Sequence, residues 1–492
     1  MKLTKNNNFL LIFLLGLLFS CSADNEEFIE EETENNIDNP ASTIIKKDLE
    51  VQKFIYRGMS DIYLYNSDVD LLASDYFATQ EDKEDFLDNY TKPEDLFERL
   101  MASHDRFSYI MDDYNDYNKT SGGLDAITGM SYGLVSYCTN CSEVFGYVKL
   151  VLPGSNADDK GVKRGMIFNR IDGQQITTSN YNELLDSNSF SIGLAKIEDN
   201  TISELDQTIT ISEREQKENP IAYNKVMDID GEKVGYLYYN SFDEDYDEDL
   251  NNAFKELKGA GVTELVLDLR YNGGGSVRTA TDLAAMITKP IPGQLFMKEK
   301  WNQKYQKYYE QNKPEYLLNN FNKTLRTGTP INSLNLSRVF VLTTASSASA
   351  SELIINGLDP YIDVVQIGDV TTGKFQASVT LYDSEDFSKD HASLKTTHKY
   401  AMQPLVLKSH NAHDVSDYVN GLTPDITLKE NVRNLGILGD PSEPLLKVAL
   451  DVIKGNRVSI PEVKEYKNIG ESGMFEPEYQ RMYIDKLPEV IE

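Results

Sequence analysis

Ser347-Ala348-Ser349-Ala350-Ser351-Glu352 sets a hydroxyl among small residues, and Thr371-Thr372-Gly373-Lys374 sets a primary amine 25 residues beyond Ser349. Such a pair could carry out nucleophilic catalysis. A serine hydroxyl attacks a carbonyl only when a base removes its proton, and a lysine is that base only when its own proton has been shed. Bringing a lysine from its ordinary pKa to neutrality takes about 4 kcal/mol of preference for the uncharged amine, which an apolar pocket must supply. Both segments also have structural readings. Ser349-Ala350-Ser351-Glu352 fits the capping box of a helix carrying Leu353, Ile354, Ile355 and Leu358. The two readings are compatible, because a serine at a helix N-terminus holds its target carbonyl beside unpaired N–H groups and the positive end of the helix dipole. Gly368 to Lys374 nearly spells a phosphate-binding loop, but Phe375 stands where that loop needs Ser or Thr, and a strand-like run replaces the required helix.

A second block, Leu265-Val266-Leu267-Asp268-Leu269-Arg270-Tyr271-Asn272-Gly273-Gly274-Gly275, is an apolar strand that ends in glycines. Glycine lets backbone N–H groups approach a ligand with no Cβ in the way. Together, S-A-S-A-S-E, the lysine after Thr-x-Gly and the D-L-R-x-N-x-G-G-like block resemble the C-terminal processing peptidases, or tail-specific proteases, which use a Ser–Lys dyad. The resemblance implies Ser349 as nucleophile and Lys374 as general base. It also implies an oxyanion hole from the amides of Ala350 and of Gly273 or Gly274, and no cofactor. The fold it implies is an α/β core of the ClpP/crotonase type with a PDZ domain and an N-terminal helical domain. Ser378 stands where some members place a glutamine that holds the lysine, and Pro360 where others place an acid. Gln376, Ser378, Asp359 and Glu352 are therefore left as candidates to orient Lys374.

These residues need elements to position them. Strand–helix alternation over 222–430 predicts an α/β core with the dyad on loops at strand ends: Leu265–Arg270 leads to the glycines, Arg338–Leu342 to the serine and Val364–Ile367 to the lysine. Gly421-Leu422-Thr423-Pro424-Asp425 is similar to the segment that closes the catalytic domain in the same family. Residues 47–118 read as helical, with Val51, Phe54, Ile55 and Ile62 at helical spacing and a start at Thr91-Lys92-Pro93-Glu94. Asp105-Arg106-Phe107-Ser108-Tyr109 follows, where relatives carry a similar short motif. Residues 122–213 look like a PDZ module, in which Tyr132-Gly133-Leu134 occupies the place of the loop that takes a peptide's terminal carboxylate. Residues 431–492 are expected to be a C-terminal helical extension.

The remaining features concern location and partners. Lys2 and Lys5 precede an apolar run from Phe9 to Phe19, the size of a signal-peptide core, and Leu18-Phe19-Ser20-Cys21 resembles a lipobox with Cys21 as the lipidated residue. Residues 1–21 then read as a lipoprotein signal peptide and 22–46 as an acidic, flexible linker. The expected location is the bacterial cell envelope, lipid-anchored at the outer membrane on its periplasmic side or at the cell surface. A net charge of −31, from 48 Lys+Arg against 79 Asp+Glu, argues against nucleic acid or anionic lipid as a partner. Cys138 and Cys141 are spaced C-x-x-C, and the five histidines include no pair that would complete a metal site, so a local disulfide or two free thiols are the ordinary readings. The sequence thus reads as an envelope-anchored serine endopeptidase acting on polypeptides, unstructured or with free C-termini. The alternative is a noncatalytic peptide- or ligand-binding lipoprotein on the same fold, which would have no chemical need of both Ser349 and Lys374.

Overall fold

The computed structural model describes residues 48–115, 125–199, 201–289, 293–460, 464–476, 479–489 and 491. The expected signal peptide, Cys21 and the expected acidic linker lie outside them. Among the described residues no helix is long and apolar enough to cross a membrane.

At the centre is a six-stranded sheet in the order Ile221–Ile229, Glu232–Tyr239, Glu264–Asp268, Arg338–Thr343, Asp363–Gly368, Ile426–Thr427. The first two strands form a hairpin whose turn, Asp230-Gly231, adopts the left-handed conformations (φ +56° and +96°) that an Asp-Gly pair tolerates. The others run parallel. Their continuous Val, Leu and Phe character follows from burial on both faces. Leu265, Leu267, Val339 and Val341 pack into a large core beneath the helices Asp247–Gly259, Val277–Ile287 and Ala350–Leu358. The alternate residues Val266, Phe340 and Leu342 face a second core with the helix Pro444–Ile453. Serine, lysine and glycine loops all leave the C-terminal ends of neighbouring parallel strands, where such sheets hold their sites.

Three helices, Glu50–Asp61, Gln80–Asp88 and Pro93–Leu100, fill the expected helical region, with Pro93 at a first-turn position. Their buried Phe54, Ile55, Met59, Leu96 and Phe97 share one core with Leu381, Met402 and Leu405 of the catalytic region. Residues 130–212 form a separate sheet of strands Met130–Ser136, Val144–Val151, Ile167–Ile171, Ser189–Glu198 and Thr201–Ser212, with the short strand Gln174–Gln175 and the helix Tyr181–Leu185. This module has its own core, built on Leu134, Val148, Phe168, Ile192 and Ile211. Cys138 and Cys141 form a disulfide.

The 431–492 stretch departs from its expected helical character beyond Ile453. Asn468–Glu471 runs as a strand on the edge of Met130–Ser136, and Met482–Tyr483 runs as a strand between Gly275–Ser276 and Gln376–Ser378. Strands this short carry no periodicity, and their backbone bonds go to partners more than a hundred residues away.

A buried ionic cluster fixes the strand that ends in the glycines. The Arg270 guanidinium is fully buried; its Nε bonds Asp268 Oδ1 at 2.9 Å, and its other nitrogens reach Glu443 at 2.7 and 3.1 Å and Glu430 at 3.0 Å. Burial alone would lower its pKa, but these three carboxylates hold it well above the ordinary arginine value. Glu430 also accepts from Arg164 (2.7 Å) and Tyr271 (2.6 Å), joining the module to the core. Arg270→Ala should cost roughly 3–5 kcal/mol, because it leaves buried carboxylates without their cation. A melting temperature within about a degree of the parent would refute that role.

Candidate active site

Ser349 ends the loop that follows strand Arg338–Thr343 and stands at the N-terminus of helix Ala350–Leu358. Its backbone sits at φ +66°, ψ −114°, a sparsely populated region for an L-residue that costs on the order of 1–3 kcal/mol. Surrounding bonds impose it. Ser349 N–H donates to Glu352 Oε2 at 2.8 Å, Leu353 N–H donates to Ser349 O at 2.8 Å, and Ala348 N–H and Ser351 Oγ donate to Asn272 O at 3.1 and 3.0 Å. Ser349 and Glu352 hold capping-box positions, yet the buried Ser349 Oγ has no hydrogen-bond partner. An unspent hydroxyl on a strained backbone is what a nucleophile requires and what a purely structural cap would lack.

Asn272 also positions the glycines. Its amide donates to Tyr239 O at 2.9 Å, and its Oδ1 accepts from Gly274 N at 2.8 Å. Gly274 spends its N–H there, so of the two glycine amides expected at an oxyanion hole it is already engaged. Gly274 instead supplies room. At φ +113°, a Cβ would stand 2.6 Å from Ser349 Cβ and strike the Arg481 carbonyl.

Lys374 is 2 % exposed. Burial brings its pKa down to about 7, against the upward pull of Asp105 and Glu352. Its Nζ lies 4.9 Å from the centre of the Phe107 ring. Asp105, the nearest countercharge in effect, spends its oxygens on Tyr63 Oη (2.7 Å), Ser108 Oγ (2.5 Å) and the amides of Phe107 and Ser108 (2.9 and 3.0 Å). Sequence reasoning noticed the Asp105–Tyr109 motif but gave it no role; it forms one wall of the lysine's pocket.

Of the four residues proposed to orient Lys374, Glu352 is bonded to its backbone. One oxygen, Oε2, accepts from the amides of both Ser349 and Lys374 at 2.8 Å, while Oε1 accepts from Gly373 N (2.7 Å) and Thr371 Oγ1 (2.5 Å). Ser349 and Lys374 are thereby anchored on a single atom. Burial raises the Glu352 pKa while these donors oppose it. Gln376 is engaged with Tyr65 Oη (2.7 Å), Ser378 with Met482 O (3.0 Å), and Asp359 ends the helix at its far terminus. Ser349 Oγ is bonded to no group, Lys374 Nζ included; hydrogen bonds between reacting groups are often absent before substrate aligns them.

Tyr132, Gly133 and Leu134 lie on the module's edge strand. That edge is paired with the chain's own segment: Gly133 opposite Glu471, Leu134 opposite Gly470, and Tyr132 N donating to Ser472 Oγ at 3.0 Å. Among the described residues no group of three or more His, Cys, Asp and Glu side chains is placed to hold a metal ion.

Residues 233–428 match the family model of peptidase family S41, and residues 50–109 match that of the peptidase S41 N-terminal domain. The chain is 23 % identical over 317 residues to a carboxyl-terminal-processing protease of Picosynechococcus sp. (strain ATCC 27264 / PCC 7002 / PR-6), covering 62 % of this chain and 66 % of that protein. It is 23 % identical over 350 residues to a CtpA-like serine protease of Staphylococcus aureus (strain N315), covering 69 % of this chain and 62 % of that one. The match thus spans just under two thirds of the length of these relatives. A crystal structure of a Bacteroides fragilis NCTC 9343 protein assigned to the S41 proteases superposes with a TM-score of 0.64 at 28 % identity, covering 82 % of this chain and 97 % of that one.

Glu352→Gln keeps the shape but turns an NH₂ group toward converging donors. It should slow labelling of Ser349 by a fluorophosphonate probe by roughly 10- to 100-fold, as expected for a misaligned nucleophile. Unchanged labelling in a folded variant would mean that the anchor is dispensable.

Proposed function

We propose that this chain, which carries a peptidase family S41 catalytic domain, hydrolyses polypeptides through a Ser–Lys dyad and an acyl-enzyme. The observation that carries the reading is the convergence on Glu352 of a strained serine with an unspent hydroxyl and a buried lysine whose pKa lies at about 7.

In the first step the uncharged Lys374 Nζ accepts the Ser349 proton as Oγ bonds to the scissile carbonyl carbon. The negative charge gathers on the carbonyl oxygen, where the Ala350 and Gly273 amides and the helix N-terminus stabilise it. Lys374 then returns the proton to the departing amine, and the C–N bond breaks to leave an ester on Ser349. Water, deprotonated by Lys374, attacks that ester and frees the acid product and the serine hydroxyl.

The 130–212 module, proposed as a PDZ domain, recruits extended peptides to the strand edge at Tyr132-Gly133-Leu134 and favours chains with a free C-terminus. Lipidation at Cys21 would hold the enzyme at the cell envelope, with residues 22–46 as its tether.

Three outcomes test these assignments. Ser349→Ala and Lys374→Ala should each abolish casein cleavage while melting like the parent, and residual activity equal to the parent in either would remove that residue from the mechanism. Activity should rise with pH through about 7, because Lys374 is a base only after losing its proton near that value. The same depressed pKa means that the unfolded chain binds a proton the folded chain has shed between about 7 and the ordinary lysine value, so this group's contribution to stability increases with pH across that window. A flat kcat/KM profile from pH 5 to 9 would contradict a lysine base. Amidating a substrate's C-terminus should weaken its binding to the Ser349→Ala protein; equal affinity would limit the module to packing.

A further inference from the structure

The C-terminal segment runs through both sites of the proposed peptidase. Asn468–Glu471 lies antiparallel on Met130–Ser136, extending the module's sheet as an added peptide strand would. Ile469 packs against the module's core, and Tyr466 meets Phe145 edge-on at 5.2 Å. Ser472 Oγ takes the Tyr132 amide at 3.0 Å and Ser472 N donates to Tyr132 O at 3.0 Å, where a terminal carboxylate would be received. Glu471 ties this strand to the catalytic loops, accepting from Lys149 Nζ, from Ser346 Oγ at 2.7 Å and from Tyr479 Oη at 2.5 Å. Burial pulls the Glu471 pKa up, but Lys149 and these donors bring it below the ordinary carboxylate value.

Farther along, the segment crosses the serine. Gln480, at φ +56°, brings its backbone nitrogen against Gly273, and its amide donates to Thr372 Oγ1 at 3.1 Å. The Arg481 carbonyl lies against Gly274 beside the Ser349 side chain. Met482–Tyr483 then inserts as a strand between the glycine segment Gly275–Ser276 and the post-lysine strand Gln376–Ser378, and Ile484 N donates to Ser378 O at 3.1 Å. Residues 468–472 and 480–484 thus touch the peptide edge, the glycines beside Ser349 and the strand that follows the lysine.

We propose that residues 468–472 and 480–485 act as a tethered substrate mimic, which occupies the module's peptide-binding edge and the approach to Ser349 and which an incoming polypeptide must displace. This inference rests on the peptidase reading above and names the regulation of that same site. The ligand class is an extended peptide that binds by main-chain pairing with an aliphatic anchor, the role Ile469 fills here.

The test uses the full chain in a Ser349→Ala background, with a fluorescein-labelled synthetic peptide of residues 466–485 as probe. Ile469→Ser and Glu471→Gln should each bind the peptide at least tenfold more tightly than the parent, since their own segment competes less. With Ser349 restored, both variants should cleave casein faster, and the unlabelled peptide should inhibit them. Because either substitution could disturb folding, hydrogen exchange on the unsubstituted chain gives a second readout: amides 469–472 should be protected and should lose protection at millimolar peptide. Equal peptide affinity in parent and folded variants, slower casein cleavage by both, or protection that excess peptide leaves unchanged would each overturn the proposal and make the segment a fixed wall of the cleft. Peptide binding as expected with no casein cleavage by any form would keep the mimic and remove the hydrolase instead.

Discussion

A single buried carboxylate organises the site. Glu352 receives four donors, and one of its oxygens holds the amides of both Ser349 and Lys374. Two 2.8 Å bonds to one atom keep those nitrogens within about twice that distance, whatever the loops around them do. The serine comes from the loop after one parallel strand and the lysine from the loop after the next. Sheet geometry brings the loops near each other, and the carboxylate fixes their register. The same bonds hold Ser349 in a backbone conformation it would leave if free.

The constraint has an electrostatic side. A lysine is uncharged near neutrality only if burial outweighs every nearby anion, and two carboxylates act on Lys374. Both are consumed by other donors: Glu352 by three amides and a hydroxyl, and Asp105 by Tyr63, Ser108 and two amides. Neither is left to make a salt bridge that would lock the ammonium form. Phe107 completes the wall with a ring in place of a polar partner. Arg270 shows the opposite solution, a buried cation kept charged because three carboxylates converge on it.

The sequence made legible what is local. Serine, lysine and glycine segments each carry their chemistry within about ten residues, and their parallel strands announce themselves as short apolar runs. Glu352 was visible as a cap and as one of four candidates to orient Lys374, but not as the anchor of its backbone, because it acts on the Lys374 amide rather than on the amine, and no spacing rule reports that. Asp105 and Phe107 contact a pocket formed more than 250 residues later in the chain, so only the fold could assign them. The strands Asn468–Glu471 and Met482–Tyr483 are too short for periodicity and gain their conformation from partners. That is why the C-terminal stretch read as helix continued past Ile453.

Dryness and access pull in opposite directions at such a site. An amine with a pKa of about 7 must be kept from water, yet a polypeptide must reach the hydroxyl beside it. The C-terminal strand lies where the two demands meet, covering Gly274 and Ser349 while pairing with Gln376–Ser378 just beyond the lysine. If a substrate takes the place of that strand, it restores the same backbone pairing and the same cover, and the base stays uncharged throughout the exchange. A lid that swung aside without replacement would instead wet Lys374 and raise its pKa when its lone pair is needed. Under the proposed mechanism, strand-for-strand exchange would reconcile an enclosed lysine with a macromolecular substrate, and the cover of the recess would then depend on the molecule to be cut.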